Sequence, residues 1–333
     1  MSRTPLLRPT VPAGTHPIET GRYVLDTPPL GRFCDSLKQW ATNRAPGAIV
    51  VGPPRYGKTK GIPFGADELR EQFGPTFPVL TFCCEDHQYA TEARFFETLL
   101  SDFGHSLSRS GTASAKRARL IQFLVQQACA DDHRRLVLIG DEAQKLHELQ
   151  YKWLMDIYNA LDRQEIATTV VLVGQPELVH QREAFLKAQK MQIVGRFMIH
   201  QHEFTGLRNA TDFEYCLNGY DRESEYPEGT GWSFTQYYFP GGVKSGWGLA
   251  SEAKNLWDAF QQVRAEAQLP GRAEVPMQYF SQTIEYALRE YTTTEHGMPT
   301  ISLNQWKEAI RYSGYCDASR YLVTRAKRGM AKQ

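Results

Sequence analysis

Across 333 residues, 38 lysines and arginines stand against 37 aspartates and glutamates, and 41% of residues are hydrophobic: enough for two domains with a sizeable core, but with a charge balance that makes any nucleic-acid site a local patch. Six cysteines without a C-x-x-C pair or zinc spacing read as reduced thiols, with no disulfide and no structural metal. No apolar stretch nears the roughly 20 residues of a membrane span, so a cytoplasmic protein with no membrane partner is expected.

The first 28 residues, with Pro5, Pro9, Pro12, Pro17 and Pro28 and little periodicity, read as an extended arm. A strand follows at 48–52 and runs directly into Gly52-Pro53-Pro54-Arg55-Tyr56-Gly57-Lys58-Thr59, a complete G-x-x-x-x-G-K-[ST] phosphate loop that opens a helix at about 59–72, with Lys60 in its first turn. The glycines let successive N–H groups face one anion, and the helix adds its positive end. Lys58 is placed for the β- and γ-phosphates, and the Thr59 hydroxyl for Mg²⁺.

A second strand at 78–83 and helices at 90–104 and 114–131 lead to a third strand at 135–141, Arg-Leu-Val-Leu-Ile-Gly-Asp, followed by Glu142. Its apolar run suits burial on both faces. Asp141 at its end can hold Mg²⁺ and Glu142 can polarise a water, although Asp141 could also cap a helix beginning at Glu142. After a helix at 149–163, a fourth strand at 168–174 ends beside Gln175, a candidate to touch the γ-phosphate or the water, or simply to cap the next helix. That helix spans 176–190. Gly195-Arg196-Phe197 precedes a weaker strand at 198–204, and Arg196 is either a finger for a neighbouring subunit's nucleotide or a solvated surface residue.

The alternation of strand and helix predicts an α/β fold with a mostly parallel sheet. Beyond residue 206, residues 219–248 look irregular or hairpin-like, and helices at 250–268, 276–292 and 303–313 suggest a small helical domain. The alternating segment Trp232–Phe239 suits a hairpin packed on one face, or an apolar surface for a partner. His87, His147, His200 and His202 read as surface or strand residues, since no cluster completes a metal site.

The phosphate loop, the Gly-Asp-Glu-Ala-Gln strand end, Val-Gly-Gln-Pro-Glu-Leu and Gly-Arg-Phe resemble the AAA+ ATPases of the TnsC/TniB transposition-regulator group over roughly residues 30–210. The resemblance implies a P-loop NTPase AAA+ core of five parallel strands flanked by helices at 29–206. It also implies a helical lid, here the region 207–318, but the insertion 219–248 departs from that pattern with no counterpart; the residues themselves mark a basic tail at 319–333 with Arg320, Arg325, Lys327, Arg328 and Lys332. Carried over by position, Gly52 to Lys60 hold ATP, Thr59 and Asp141 hold Mg²⁺, Asp141 and Glu142 are the Walker B pair, Gln175 resembles sensor 1, and Arg196 resembles the finger. No sensor 2 arginine can be named.

The activity implied is slow, Mg²⁺-dependent ATP hydrolysis stimulated by DNA and self-assembly. The partners implied are double-stranded DNA, further copies of the chain in a ring or filament of about six or seven subunits per turn, transposase subunits and a target-selection protein. Phosphate-contacting side chains would line the pore: Arg94, and Arg109, Ser110, Thr112, Lys116, Arg117 and Arg119 from 107–119, unless these form a solvated loop and helix face. Two other readings stay open, an AAA+ ATPase of a secretion-associated system and a nucleotide-gated scaffold with negligible turnover.

Overall fold

The computed structural model describes residues 8–86, 90–131, 133–292 and 301–321. Pro5, His87 and the tail residues Arg325, Lys327, Arg328 and Lys332 lie outside the described residues. The chain divides into two compact units, one of Met1–Pro29 with Thr205–Gln333, the other of Leu30–Phe204.

Before the first strand come a one-turn helix α1 (Pro17–Thr20) and α2 (Pro28–Thr42). The 30–204 unit then runs β1 (Gly47–Val51), α3 (Lys58–Phe73), β2 (Val79–Cys83), α4 (Glu92–Asp102), α5 (Ala113–Cys129), β3 (Arg135–Asp141), α6 (Glu148–Asp162), β4 (Ala167–Gly174), α7 (Glu177–Lys187), α8 (Met191–Phe197) and β5 (His200–Glu203). All five strands are parallel, in the order β2-β3-β4-β1-β5.

The sequences of the strands explain their places. The interior strands β1, β3 and β4 are apolar almost throughout, and alternate residues feed two cores. Ile49, Leu136, Leu138, Val170 and Leu172 pack on the α4–α8 side. Ala48, Val50, Val137, Ile139, Val171 and Val173 pack against Leu30, Phe33 and Leu37 of α2 and Ile62, Ala66 and Leu69 of α3. Each valine, leucine, isoleucine or phenylalanine among them contributes about 1.5–3 kcal/mol by leaving water. Edge strand β5, with His200, Gln201, His202 and Glu203, is largely exposed, which is why its sequence signal is weak. His202 is held at its Nδ1 by the Ser36 hydroxyl (2.9 Å), and burial, then Arg32, lowers its pKa to about 4. The single helix expected over 176–190 ends at Lys187. Gln189 turns left-handed (φ 56°) and a separate α8 follows.

Helices α9 (Ala210–Asn218), α10 (Phe234–Tyr238), α11 (Pro240–Lys244), α12 (Ala253–Glu266), α13 (Met277–Glu290) and α14 (Leu303–Tyr312) build the other unit. Phe213, Phe260 and Phe280 meet edge to face around its core, beside the buried Trp306 and Tyr315. Two expectations are corrected in this unit. The described part of the arm is not extended: Ile18 and Leu25 enter the core, and the Tyr23 hydroxyl bonds Tyr220 (2.8 Å) and Glu285 (2.9 Å). His16 lies fully buried among Tyr226, Phe234, Tyr237 and Tyr238, and burial, then Arg8, lowers its pKa to about 4.

Nor is the insertion a hairpin or an apolar display. Ser233 caps α10 by accepting from Gln236 N (3.1 Å), and Phe234, Tyr237, Tyr238 and Phe239 are buried. A π-helical turn at Gly219–Glu223 directs Asp221 inward, where it accepts from Thr235 Oγ1 (2.6 Å) and from Leu249 N and Ala250 N (2.9 Å each). These bonds tie both ends of the insertion together. Burial still raises the carboxyl of Asp221 above its ordinary pKa.

Candidate active site

The sheet order sets the carboxyl ends of β3, β4 and β1 side by side, the edge at which α/β sheets bind ligands. Gly52 N–H, just past β1, donates to Gly174 O at the end of β4 (3.2 Å). The loop then curls through two left-handed residues, Arg55 (φ 74°) and Gly57 (φ 103°). Glycine adopts that conformation freely, whereas Arg55 stores strain of roughly 1–2 kcal/mol, as functional loops do. Tyr56 anchors the curl by packing in the α2–α3 core. Because α3 begins at Lys58, its first N–H groups face the concave side of the loop.

Lys58 is buried, and its ammonium donates to Gly52 O (2.6 Å) and Pro53 O (2.7 Å). Burial lowers its pKa, while Asp141, Glu142 and Glu177 oppose that shift. The ammonium is hydrogen-bonded by neutral loop carbonyls and feels the three carboxylates only through space, so it can turn its charge to a triphosphate. Thr59 Oγ1 donates to Asp141 Oδ2 (2.7 Å), joining the phosphate loop to β3. A hydroxyl and a carboxylate in contact form a hard oxygen donor set that fits Mg²⁺. Pro53 and Pro54 stiffen the loop, and Lys60 is exposed on the first turn of α3.

The capping alternative for Asp141 is corrected. Its Oδ1 accepts from the adjacent Glu142 N (2.8 Å), only a single 3₁₀ turn follows, and α6 starts at Glu148 behind His147. Glu142 is left-handed (φ 56°), so its side chain leaves the line of the strand. Its Oε2 accepts from Gln144 Nε2 (2.9 Å) and faces Lys145 Nζ (3.6 Å). Gln175 follows β4, the direct neighbour of β1, and its backbone N–H donates to Gln144 Oε1 (3.0 Å). Gln144 is the residue of this cluster not singled out from the sequence. Its signal there was only its place two residues after the Walker B glutamate.

Arg196 lies in the last turn of α8, not in a loop before β5. A Cβ added at Gly47 would sit 2.6 Å from Arg196 O, so Arg196 borders the start of β1. Five residues at about 3.3 Å each put the phosphate loop roughly 16 Å further along the strand, beyond an arginine's reach. Its guanidinium rests over the Tyr158 ring (4.3 Å) and donates to Asn159 Oδ1 (2.5 Å).

The basic segment divides. Lys116 is buried and paired with Glu97, whose carboxyl that bond holds below its usual pKa, with Arg109 and Arg94 adding to the effect. It is therefore not the phosphate-contacting side chain expected, because α4 supplies a carboxylate across the packed α4–α5 pair. Arg117 pairs with Glu92 (3.7 Å) and Asp156 (3.1 Å). Arg119 donates to Leu107 O and Ser110 O (2.8 Å each), closing the loop before α5. The Thr112 hydroxyl caps α5 on Ala115 N (3.3 Å). Arg94 and Arg109 are exposed. Lys116→Ala should lower stability by about 1–2 kcal/mol in a thermal melt, since it removes a buried stem and the partner of Glu97. An unchanged melting temperature would return Lys116 to the surface cations.

Among the described residues no helix is long and apolar enough to cross a membrane. Residues 42–181 match the AAA domain family. No curated protein shows significant similarity to the chain. Among solved structures, a Walker-type ATPase of Pyrococcus abyssi superposes with a TM-score of 0.52 at 11% identity, over 93% of this chain and 76% of that one. The Aeropyrum pernix ORC2 protein in its ADPNP–ADP complexes gives 0.48 at 12%, over 89% and 71%. Drosophila ORC bound to DNA gives 0.47 at 14%, over 93% and 70%. At 11% identity the likeness to the Walker-type ATPase is one of fold. The 30–204 unit, which includes the matched residues, has the AAA+ P-loop NTPase fold.

Proposed function

We propose that the protein is a slow, Mg²⁺-dependent ATPase of the AAA+ class that assembles on duplex DNA in the cytoplasm and regulates transposition. In this reading the ATP-bound assembly recruits or activates transposase subunits at a site chosen with a target-selection protein. The observation that carries the ATPase reading is the Thr59–Asp141 contact (2.7 Å), which brings the phosphate loop and the Walker B acids into one cluster. The transposition role rests on the motif resemblance over residues 30–210.

Lys58 and the first N–H groups of α3 offset the charge of the triphosphate. Mg²⁺, when held by Thr59 and Asp141, supplies further charge neutralisation at the phosphates. Glu142 orients a water and accepts its proton as the water oxygen bonds to the γ-phosphorus and the bond to the β-phosphate oxygen breaks. Gln175 at the β4 tip is the candidate contact to the γ-phosphate. Arg196 sits too far from its own loop to serve it, which supports a finger acting on a neighbouring subunit. Arg94 and Arg109 remain the candidates for DNA phosphates; Thr112, Lys116, Arg117 and Arg119 hold α4, α5 and their loop in place.

Mixed subunits test the reading. Arg196→Ala chains should bind ATP as the parental protein does but hydrolyse it about 10³-fold more slowly, as loss of a finger predicts. Lys58→Ala chains supply the intact finger, so mixtures should regain part of the duplex-stimulated ATPase. Mixed assemblies that form without any recovery would overturn the trans role. A parental chain inert toward Mg²⁺–ATP, with and without duplex, would overturn the enzyme.

A further inference from the structure

We propose that Gln144 is a positioning residue for hydrolysis: its side-chain amide sets the direction of the Glu142 carboxylate by tying it to the backbone of Gln175 at the tip of β4. The inference rests on the ATPase reading above and gives a role to a residue to which the motifs assign none.

The orientation of the amide is forced at both ends. Gln175 N–H can only donate, so the oxygen of the Gln144 amide turns toward it (3.0 Å). The amide nitrogen must then face Glu142, whose ionised carboxylate can only accept, and it does so at 2.9 Å from Oε2. Neither bond survives a flip of the amide. Lys145 addresses the same oxygen (3.6 Å), so Oε1 is the carboxylate oxygen through which Glu142 can take a proton from water.

The surroundings are built for the bridge. A Cβ at Gly174 would lie 2.5 Å from Gln144 Oε1, so the end of β4 accepts this amide only because it carries no side chain there. The backbone of the turn is held as well: Gln181 Nε2 of α7 donates to Gln144 O (2.7 Å) and Leu146 O (3.2 Å). The hydroxyl of the buried Tyr151 fixes Gln181 in turn (3.1 Å). The holder is therefore fixed at both its backbone and its amide oxygen, next to a Glu142 that leaves its strand in a left-handed conformation. A shift of Gln175 is passed to the Glu142 carboxylate through a single side chain.

The test uses the full chain carrying Gln144→Met, Gln144→Glu and the exchange Glu142→Gln with Gln144→Glu. Methionine keeps the bulk and removes the donor. Its kcat should fall about tenfold or more while the KM for ATP stays within about twofold, the split expected of an interaction that matters only in the transition state. Glutamate at 144 sets two carboxylates against each other, so that variant should melt below Gln144→Met in the absence of nucleotide and Mg²⁺. The exchange restores a carboxylate–amide pair and should recover the melting temperature without recovering hydrolysis.

This recovery shows that the two side chains meet even where a single variant folds poorly, while the kcat-against-KM split of Gln144→Met is the readout that a purely space-filling Gln144 would not produce. Parental kcat in Gln144→Met, or an exchange no more stable than Gln144→Glu, overturns the positioning role while parental hydrolysis leaves the ATPase reading intact. A parental chain that hydrolyses no ATP overturns both.

Discussion

Lys58→Ala should lose ATP binding by about 100-fold or more, close to 3 kcal/mol, and with it hydrolysis and DNA-dependent assembly. The size of the effect follows from where the ammonium sits. It is buried, it is bonded to the loop's own carbonyls, and it already opposes three carboxylates that would otherwise repel a triphosphate. The apo protein should be far less affected. Burial of the charge is itself unfavourable, and Gly52 O and Pro53 O can take water where the ammonium was, so the melting temperature should move by a few degrees at most. Calorimetric titration with ATP and Mg²⁺ decides it, and retained affinity in a folded variant would remove the phosphate-loop assignment.

The contrast between these modest apo effects and the large ligand effects reflects what a single sequence encodes. Strands β1, β3 and β4 are legible because both faces of each are buried: their apolar runs are continuous, and the glycine-rich or acidic residues at their ends stand out. Thr59 and Asp141 lie 82 positions apart, yet Asp141 ends β3 and Thr59 closes the loop that follows β1, so their meeting follows once the sheet is parallel. Edge strand β5 has four polar residues and is recognisable mainly from what precedes it. Helix α2 is not among the elements predicted from the sequence: it begins at Pro28-Pro29, where the proline-rich arm is expected to end, although proline at a first turn starts helices as readily as it ends segments. The break between α7 and α8 rests on a left-handed Gln189, a position where no glycine marks the turn.

Side-chain partners distant in sequence were the least legible. Lys116 lies in a basic run that looks like a solvated face, and only the packing of α5 on α4 brings Glu97 to it. The aromatic segment at 232–239 alternates as a hairpin would, yet Asp221 and Ser233 fold its surroundings into short helices and bury the rings. There tertiary contacts override local pattern. Gln144 belongs to the same class: its two partners, Glu142 and Gln175, are motif residues, but the bridge between them exists only because β3 and β4 are neighbours.

Glu142→Gln should separate binding from turnover. The substituted amide is close to isosteric and can present its oxygen to Gln144 Nε2, so the contact now made at 2.9 Å need not be lost. What disappears is the group that accepts the proton of water, and hydrolysis should fall by about 10²–10⁴-fold, the usual contribution of a general base. ATP affinity should hold or rise, because one of the negative charges near Lys58 is gone. Assemblies formed with ATP and duplex should consequently outlast those of the parental chain, whose nucleotide is spent. Single-turnover hydrolysis and the dissociation rate of preformed assemblies measure the two halves independently. Glu142→Ala supplies the control, since it loses the proton acceptor and the Gln144 contact together and should match Glu142→Gln in rate but not in melting temperature. Hydrolysis at the parental rate in Glu142→Gln would mean that another group takes the proton, with Asp141 the next candidate on the same turn.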